Sequence, residues 1–401
     1  MEWKLEVVVV AVTKNTKGLA TLNRLNACAI SLMTIGTSHA ATAPQNATAE
    51  ILYSQYDEQA LDSADVASGS VDRYKIDITQ GSFSSPINDD FAINIDLSRE
   101  HMTGSSPMAI LRGENGRPLA IMSGSTIIDT RTDMSLSVRH YQDDLLTGVD
   151  VYYSEEDDYR SQGAGLNFEH ELQNGRVFSW GISAYNDSIN PTDALVFNRV
   201  SHESKQKQSS FIGLSQILDR NRLIAAGISV TRAQGYLSDP YKLVDIRPDL
   251  NIQWAVSTKY RHFIKKINAA WHADHRYYRD HNGVFSHTLS SALHKEISSS
   301  LSTSATVRYY QQHEADFYVP YDFEQDSLTQ LQSSDFRLSS FSATSIKLGF
   351  KWQFQSNALK NWVLKGRYEN YISDGRSDSN WNHPALLDYQ RFSLGLTWQL
   401  K

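Results

Sequence analysis

Tyr389-Gln390-Arg391-Phe392-Ser393-Leu394-Gly395-Leu396-Thr397-Trp398-Gln399-Leu400 alternates apolar and polar residues from Arg391 onward. Phe392, Leu394, Leu396, Trp398 and Leu400 make one row, and Arg391, Ser393, Gly395, Thr397 and Gln399 make the other. A period of two is that of a β-strand, so this stretch belongs to a sheet with one apolar side. The same pattern recurs upstream. Tyr74, Ile76 and Ile78 alternate with Arg73, Lys75, Asp77 and Thr79, and Phe91, Ile93, Ile95 and Leu97 with Ala92, Asn94, Asp96 and Ser98. Ile346, Leu348, Phe350, Trp352 and Phe354 alternate with Lys347, Gly349, Lys351 and Gln353. Helical periodicity is nearly absent, so the chain is all-β.

Two kinds of all-β protein share such strands, soluble sandwiches or propellers and membrane barrels. The connections here alternate between short and long along almost the whole chain. Asn174-Gly175 is a strong hairpin signal, and Asp219-Arg220-Asn221 makes another tight turn. Short turns on one rim and long loops on the other are the pattern of an up-and-down barrel. Charged and amide side chains also recur in mid-strand on the polar face, which a wet lumen tolerates and a dry core does not. The closing strand has the alternating, aromatic-bearing form that resembles the insertion signal of outer-membrane barrels, with Lys401 after it in place of a terminal aromatic.

The expectation is therefore a single up-and-down antiparallel transmembrane β-barrel over 41–401, with short periplasmic turns and long extracellular loops. If the last strand runs down to the periplasm, Val71–Thr79 descends too. An ascending strand must precede it, and Ala49–Tyr56 is the candidate. The count is then about 16, or 14 if Met134–Tyr153 is not two spanning strands. Ile264–Trp271 and Trp362–Tyr371 are among the other expected strands. Tyr and Trp near strand ends, such as Tyr152, Tyr153, Trp180, Tyr185, Trp254, Trp271, Tyr309, Tyr310, Trp352 and Trp398, suit interfacial girdles.

The N-terminus reads as an address. Lys14, Lys17 and Arg24 precede the apolar run Leu25 to Gly36, and Ser38-His39-Ala40 suits cleavage before Ala41. The run is too short to span a bilayer, and no stretch of about 18 apolar residues occurs elsewhere. Residues 1–40 are thus a signal peptide with an N-terminal extension, and the mature protein resides in the Gram-negative outer membrane. Cys28 is the single cysteine and leaves with the signal, which excludes disulfides, thiolate metal sites and a cysteine nucleophile. The net charge of −7 becomes more negative after cleavage, so nucleic acid is not an expected partner. Expected partners are outer-membrane lipid and lipopolysaccharide, with the barrel-assembly machinery and periplasmic chaperones during biogenesis.

Arg73, Lys75, Asp77, Asn94, Asp96, Lys347, Lys351, Lys365 and Arg367 are the expected lumen-facing residues, setting the selectivity of a pore or channel. The alternatives are a non-conducting scaffold or surface-binding barrel, with Gly104–Thr132 and Gln311–Phe341 folded inward or presented outward, and a rim-sited hydrolase. Ser286 and His287 are adjacent and point apart in a strand, and no Gly-x-Ser-x-Gly elbow occurs, so no catalytic residues are assigned. His272, His275, His281 and His287 would need to converge to hold a metal, yet His272 and His275 fall on opposite faces. No metal and no cofactor are expected. Glu155-Glu156-Asp157-Asp158 has the composition to meet divalent cations that bridge lipopolysaccharide phosphates, or is a solvated loop.

Several loop stretches resemble one family. Met102-Thr103-Gly104-Ser105-Ser106-Pro107 is similar to its Leu-Thr-Gly-Ala-Ser-Pro element, and Ser238-Asp239-Pro240-Tyr241 to its Ser-Asp-Pro-Tyr element. Tyr277-Tyr278-Arg279-Asp280 with Ser286-His287-Thr288, and Arg308-Tyr309-Tyr310-Gln311 with Ala315-Asp316-Phe317-Tyr318, resemble two further blocks. These identify the chain as similar to the outer-membrane family called domain of unknown function 3570, from about Ile51 onward. His281-Asn282-Gly283 stands where the family tends to have Asp-Trp-Gly. The resemblance implies a barrel in the outer membrane and brings no activity.

Overall fold

A computed structural model describes residues 43–125, 127–324, 329–355, 359, 361–375 and 382–400. The signal peptide and its cleavage point lie outside the described residues. Sixteen antiparallel strands close into a barrel. They are β1 (Ala47–Glu58), β2 (Lys75–Pro86), β3 (Phe91–Gly104), β4 (Ile127–Gln142), β5 (Leu145–Glu155), β6 (Tyr159–Leu172), β7 (Arg176–Ile189) and β8 (Glu203–Asp219). Then come β9 (Arg222–Gly235), β10 (Leu250–Ile264), β11 (Ala269–Asp280), β12 (Phe285–Glu296), β13 (Leu301–His313), β14 (Phe341–Gln353), β15 (Trp362–Asp374) and β16 (Tyr389–Leu400).

The expected first strand is present, and it closes the ring. β1 pairs with β16 from Ala47↔Leu400 to Glu58↔Tyr389, and with β2 on its other side. Met134–Tyr153 supplies two spanning strands, β4 and β5, so the count is sixteen and not fourteen. A closed ring leaves no unpaired strand edge, which is what allows a sheet to stand in lipid. Most of the tight turns lie on the rim that also holds both ends of the barrel. Asn174 and Gly175 there take positive φ (65° and 66°), as the Asn-Gly signal requires.

One expected strand is displaced. Ile264–Trp271 straddles a turn: β10 ends at Ile264, Lys265–Ile267 makes a 3-10 turn, and Asn268 takes φ 51° before β11 begins. The turn contains neither Gly nor Pro. Asn268 provides the left-handed residue, which Asn tolerates better than other side chains.

Alternation sorts the wall as expected at the closing strand. Phe392, Leu394 and Trp398 are exposed outward, while Arg391, Ser393 and Thr397 are buried on the inner side. Ile346, Leu348 and Phe350 of β14 are likewise exposed outward. Among the girdle residues, Tyr153, Trp180, Trp254, Tyr309, Trp352 and Trp398 are on the outer face. Tyr152, Tyr185 and Tyr310 are one residue out of phase with that face and point inward, so they leave the girdle.

Most of the long connections fold back on the barrel. Residues 59–74, 105–125, 236–249, 314–324, 329–340 and 382–388 gather into one cap. Within it Val66–Ser68, Pro118–Met122 and Pro107–Arg112 form a small sheet, and Asp245–Ile246 pairs with Gln332–Ser333. The segment after β13 reaches two distant arcs of the wall. Phe336 packs on Tyr56, Ile76 and Ile78 of β1 and β2. Ala315, Phe317 and Leu338 pack with Ala255 and Tyr278 of β10 and β11. Those strand pairs lie across the ring from each other, so the cap spans the mouth.

Candidate functional site: the loop cap and the charged lumen wall

The cap is held by buried charge. Asp335 has no solvent exposure and lies between two guanidinium groups. Arg337 Nε donates to Asp335 Oδ1 at 2.9 Å, and Arg247 Nη2 donates to Oδ2 at 2.8 Å. Arg247 Nε also meets Asp245 Oδ2 at 2.9 Å, and Arg337 Nη2 meets Asp239 Oδ2 at 2.9 Å. Two of these charge-assisted bonds, Arg247 to Asp335 and Arg337 to Asp239, join loop 236–249 to loop 314–340, and the remaining two brace each loop internally. Burial disfavours the Asp335 charge, but Arg337, Lys242 and Arg247 outweigh it and hold its carboxyl well below the usual range. At Asp245 burial prevails over Arg247 and pushes the carboxyl up.

The third and fourth loops dock on the same centre. Asp322 Oδ2 accepts from the Ile110 N–H at 2.8 Å and from Ser334 Oγ at 2.7 Å. Lys242 Nζ donates to the Pro107 carbonyl at 3.2 Å. From 382–388, Ala385 joins the cluster of Ile110, Ala120, Met122 and Tyr321. His383 Nδ1 accepts the Ala385 N–H at 3.1 Å, which leaves Nε2 to donate to the Ser334 carbonyl at 3.0 Å. Burial pushes His383 down to about 4, so its ring is neutral. Where the cap meets the wall, Arg73 Nε donates to Glu58 Oε2 at 2.9 Å, with both side chains buried.

The stretches that carry the family resemblance are parts of this assembly. Gly104, at φ 136°, turns the chain against the Arg73 carbonyl, where a Cβ would collide. Asp239 and Lys242 belong to the ionic centre. Asp280 Oδ1 accepts from the N–H groups of Asn282 and Val284 at 2.9 and 3.1 Å, and Tyr278 Oη donates to its Oδ2 at 2.9 Å. Asp316 N–H donates to the Asn282 carbonyl at 2.8 Å, and Gly283, at φ 87°, leaves room for the Asp316 side chain. Scattered in sequence, these motifs converge at one end of the barrel.

Below the cap the inner wall is polar and its charge is divided. Of the nine residues expected to face the lumen, Asn94, Asp96, Lys347, Lys351, Lys365 and Arg367 lie on the inner face of their strands. The other three do not line the open wall. Lys75 and Asp77 are on the outer face of β2, because Ile76 and Ile78 turn inward to pack on the cap. Asp77 there accepts a hydrogen bond from Tyr53, itself exposed outward. Arg73 precedes the strand and is buried against Glu58. At the top of β2, where the wall meets the folded cap, the inner face is apolar and the inside–outside rule is reversed.

Strands β10 to β16 place Arg276, Arg308, Lys347, Lys351, Lys365 and Arg367 inward, largely opposite the acidic residues Asp96, Glu100, Asp133, Asp150 and Glu169 of β3 to β6. Lys347 Nζ meets Glu369 Oε1 at 3.0 Å, and Lys365 pairs with Glu50 of β1. Arg276, Arg308 and Lys351 have no carboxylate within ion-pair distance among the described residues. Arg276 and Arg308 instead lie 5.2 and 5.9 Å from the ring centres of Tyr278 and Tyr310.

The four histidines separate. His272 faces inward, with its ring 4.4 Å from that of His294. His275 and His287 meet on the outer face, Nε2 to Nδ1 at 3.1 Å. His281 lies on an outward depression of about 730 Å³ with Trp254, Tyr277 and Arg279. Ser286 is buried on the inner side and His287 exposed on the outer, as adjacent strand residues must be. In the acidic run, Glu155 pairs outward with Arg160 at 2.6 Å, whereas Glu156 and Asp158 approach Asp129 closely.

Residues 19–387 match the family described as "Protein of unknown function (DUF3570)". The chain belongs to that family. The match takes in the cap as far as Leu387, two residues before β16. No curated protein matches the sequence. Among solved structures, the DUF3570 chain is similar to CdiB from Acinetobacter baumannii, with a TM-score of 0.50 and 10% identity over 88% of this chain and 60% of that one. It is also similar to a bacterial polysaccharide outer membrane secretin, at 0.47 and 10% over 89% and 99% of the two chains. OccK11 (OpdR) of Pseudomonas aeruginosa follows at 0.42 and 10%, over 88% and 95%. At such identities the likeness is one of fold, the outer-membrane β-barrel.

Proposed function

We propose that this barrel is a channel component of the Gram-negative outer membrane whose outer mouth is closed by its own loops. The observation that carries the reading is the inner wall beneath the cap. Arg276, Arg308 and Lys351 project there without a carboxylate partner among the described residues, and a charge so placed needs water around it. A barrel serving only as a scaffold has no need of such residues in its interior. The cap supports a closed rather than an open pore, since it spans the mouth and is fastened by ion pairs. Polar fastening can be exchanged for water more readily than an apolar core, which suits a part that must move.

In this reading the protein reaches the outer membrane through a cleaved signal peptide and passes periplasmic chaperones and the barrel-assembly machinery. Its apolar outer face then meets lipid and lipopolysaccharide, and it carries out no covalent chemistry. Planar bilayers test the channel. The wild-type barrel should conduct weakly, and a barrel with 315–339 replaced by a short Gly-Ser link should conduct in large, stable steps. Silence of the shortened form, while its heat-modifiable migration shows a folded barrel, would leave the non-conducting scaffold as the function.

A further inference from the structure

We propose that the basic arc of the inner wall is a binding path for anionic solutes bearing carboxylate or phosphate groups. The inference deepens the channel reading and rests on it for its consequence in transport. The strand register gives the arrangement. Arg276 pairs across with Thr288, and Thr288 with Tyr310, in one row. Arg308 is one side-chain step nearer the short-turn rim, and its partner is Ser345, which pairs in turn with Tyr371. The next row holds Lys347 beside Glu369, the next Arg367 opposite Gly349, and the last Lys351 opposite Lys365.

Successive rows therefore each present a cation to the lumen, from just beneath the cap to near the short-turn rim. Hydroxyl groups of Thr288, Ser290, Ser345 and Tyr371 stand between them, able to donate to the same oxyanions. Spaced cations let an anion pass from one to the next without any single site holding it too tightly. The counter-charges lie mostly on another arc. Asp150 of β5, for example, is engaged by Arg139 at 2.9 Å and by Ser137 and Asn167, so it does not neutralise the basic rows. A lumen divided this way draws an anion to one side, and low-dielectric walls strengthen that field.

The test is equilibrium binding to the full-length mature barrel in detergent, where both rims face water, with citrate and inorganic tripolyphosphate as probes. The two probes distinguish a carboxylate from a phosphate preference. Arg276→Gln, Arg308→Gln and Lys351→Gln combined should weaken binding of the preferred probe at least tenfold, while Asp150→Asn should not weaken it. Circular dichroism and heat-modifiable migration verify that each variant is folded. A folded triple variant that binds as tightly as wild type, or a wild type that binds neither probe, overturns the proposal. Reversal potentials of the cap-shortened barrel under a salt gradient separate the two readings. Anion preference lost in the triple variant supports both, conductance with no preference sinks the basic path alone, and binding without conductance removes the channel and keeps the anion site.

Discussion

In the wall, Phe392, Leu394 and Trp398 stand outward with a large share of their surface exposed, while in the cap Gln332, Ser333 and Asp335 have none exposed. The wall holds itself by a continuous ladder of backbone hydrogen bonds, so each strand needs only the right neighbours and an apolar outer row. The cap has little regular structure, and its loops are held by particular side chains, Arg247 and Arg337 on Asp335 above all. The difference concerns how each part fails. A wall of many equivalent bonds loses stability gradually, whereas a buried charge network fails when one partner is removed and the rest stay desolvated.

The largest test of that contrast is Asp335→Asn. It should cost the cap about 3–5 kcal/mol, because two buried arginines lose the charge they share. The expected result is rapid protease cleavage within 314–340 and higher conductance, with the heat-modifiable barrel intact. Cleavage no faster than in wild type would show that apolar packing holds the cap. A change in the wall should act differently. Leu394→Arg, near the middle of β16 and facing outward, should cost about 2–4 kcal/mol by urea titration in lipid vesicles and leave protease resistance of the cap unchanged.

The smallest effect is one of pH. His383 is neutral in the docked cap and pushed down to about 4, against 6.5 when free. The undocked state therefore takes up the proton first, and the docked cap loses stability as pH falls from about 6.5 toward 4. At pH 5 the loss is about 2 kcal/mol. Asp245 and Asp322, whose carboxyls burial pushes up, change in the opposite sense, and Asp335 stays charged until below the usual carboxylate range. The difference between wild type and His383→Gln isolates the imidazole. Conductance between pH 7 and 5 should rise more steeply in wild type, and parallel curves would remove His383 as the cause.

Much of the wall was legible because its signal is local. Lipid requires an apolar residue at every second position, and Phe392 to Leu400 show that without reference to any other part of the chain. The inner face of β14 and β15 followed by the same parity. Where parity misled, a tertiary contact intervened: Ile76 and Ile78 face inward because a folded cap lies against them. Tyr152 and Tyr310 beside Tyr153 and Tyr309 could not all join one girdle, a conflict that the alternation itself contains. In the cap, Asp245, Arg247, Asp322, Asp335, Arg337 and His383 carried no readable pattern. Their only signal was indirect, in the neighbouring Ser238-Asp239-Pro240-Tyr241 and Ala315-Asp316-Phe317-Tyr318 stretches that mark the family.

By itself the sequence determined the all-β class, the closure of β16 on a first strand near Ala49, and the outward row of the last strand. Each of these rests on period two and on the parity of short and long connections, which are properties of neighbouring residues. Only the tertiary structure decided that the long loops fold across the mouth, that Arg73 is fastened to Glu58, and that cations and acids favour different arcs of the wall. Those outcomes depend on charges brought together from distant loops and on a register that sums over sixteen strands. The closing strand announced a sheet with one apolar side, and with the rhythm of the connections a barrel, but it could not announce the cap folded across its mouth.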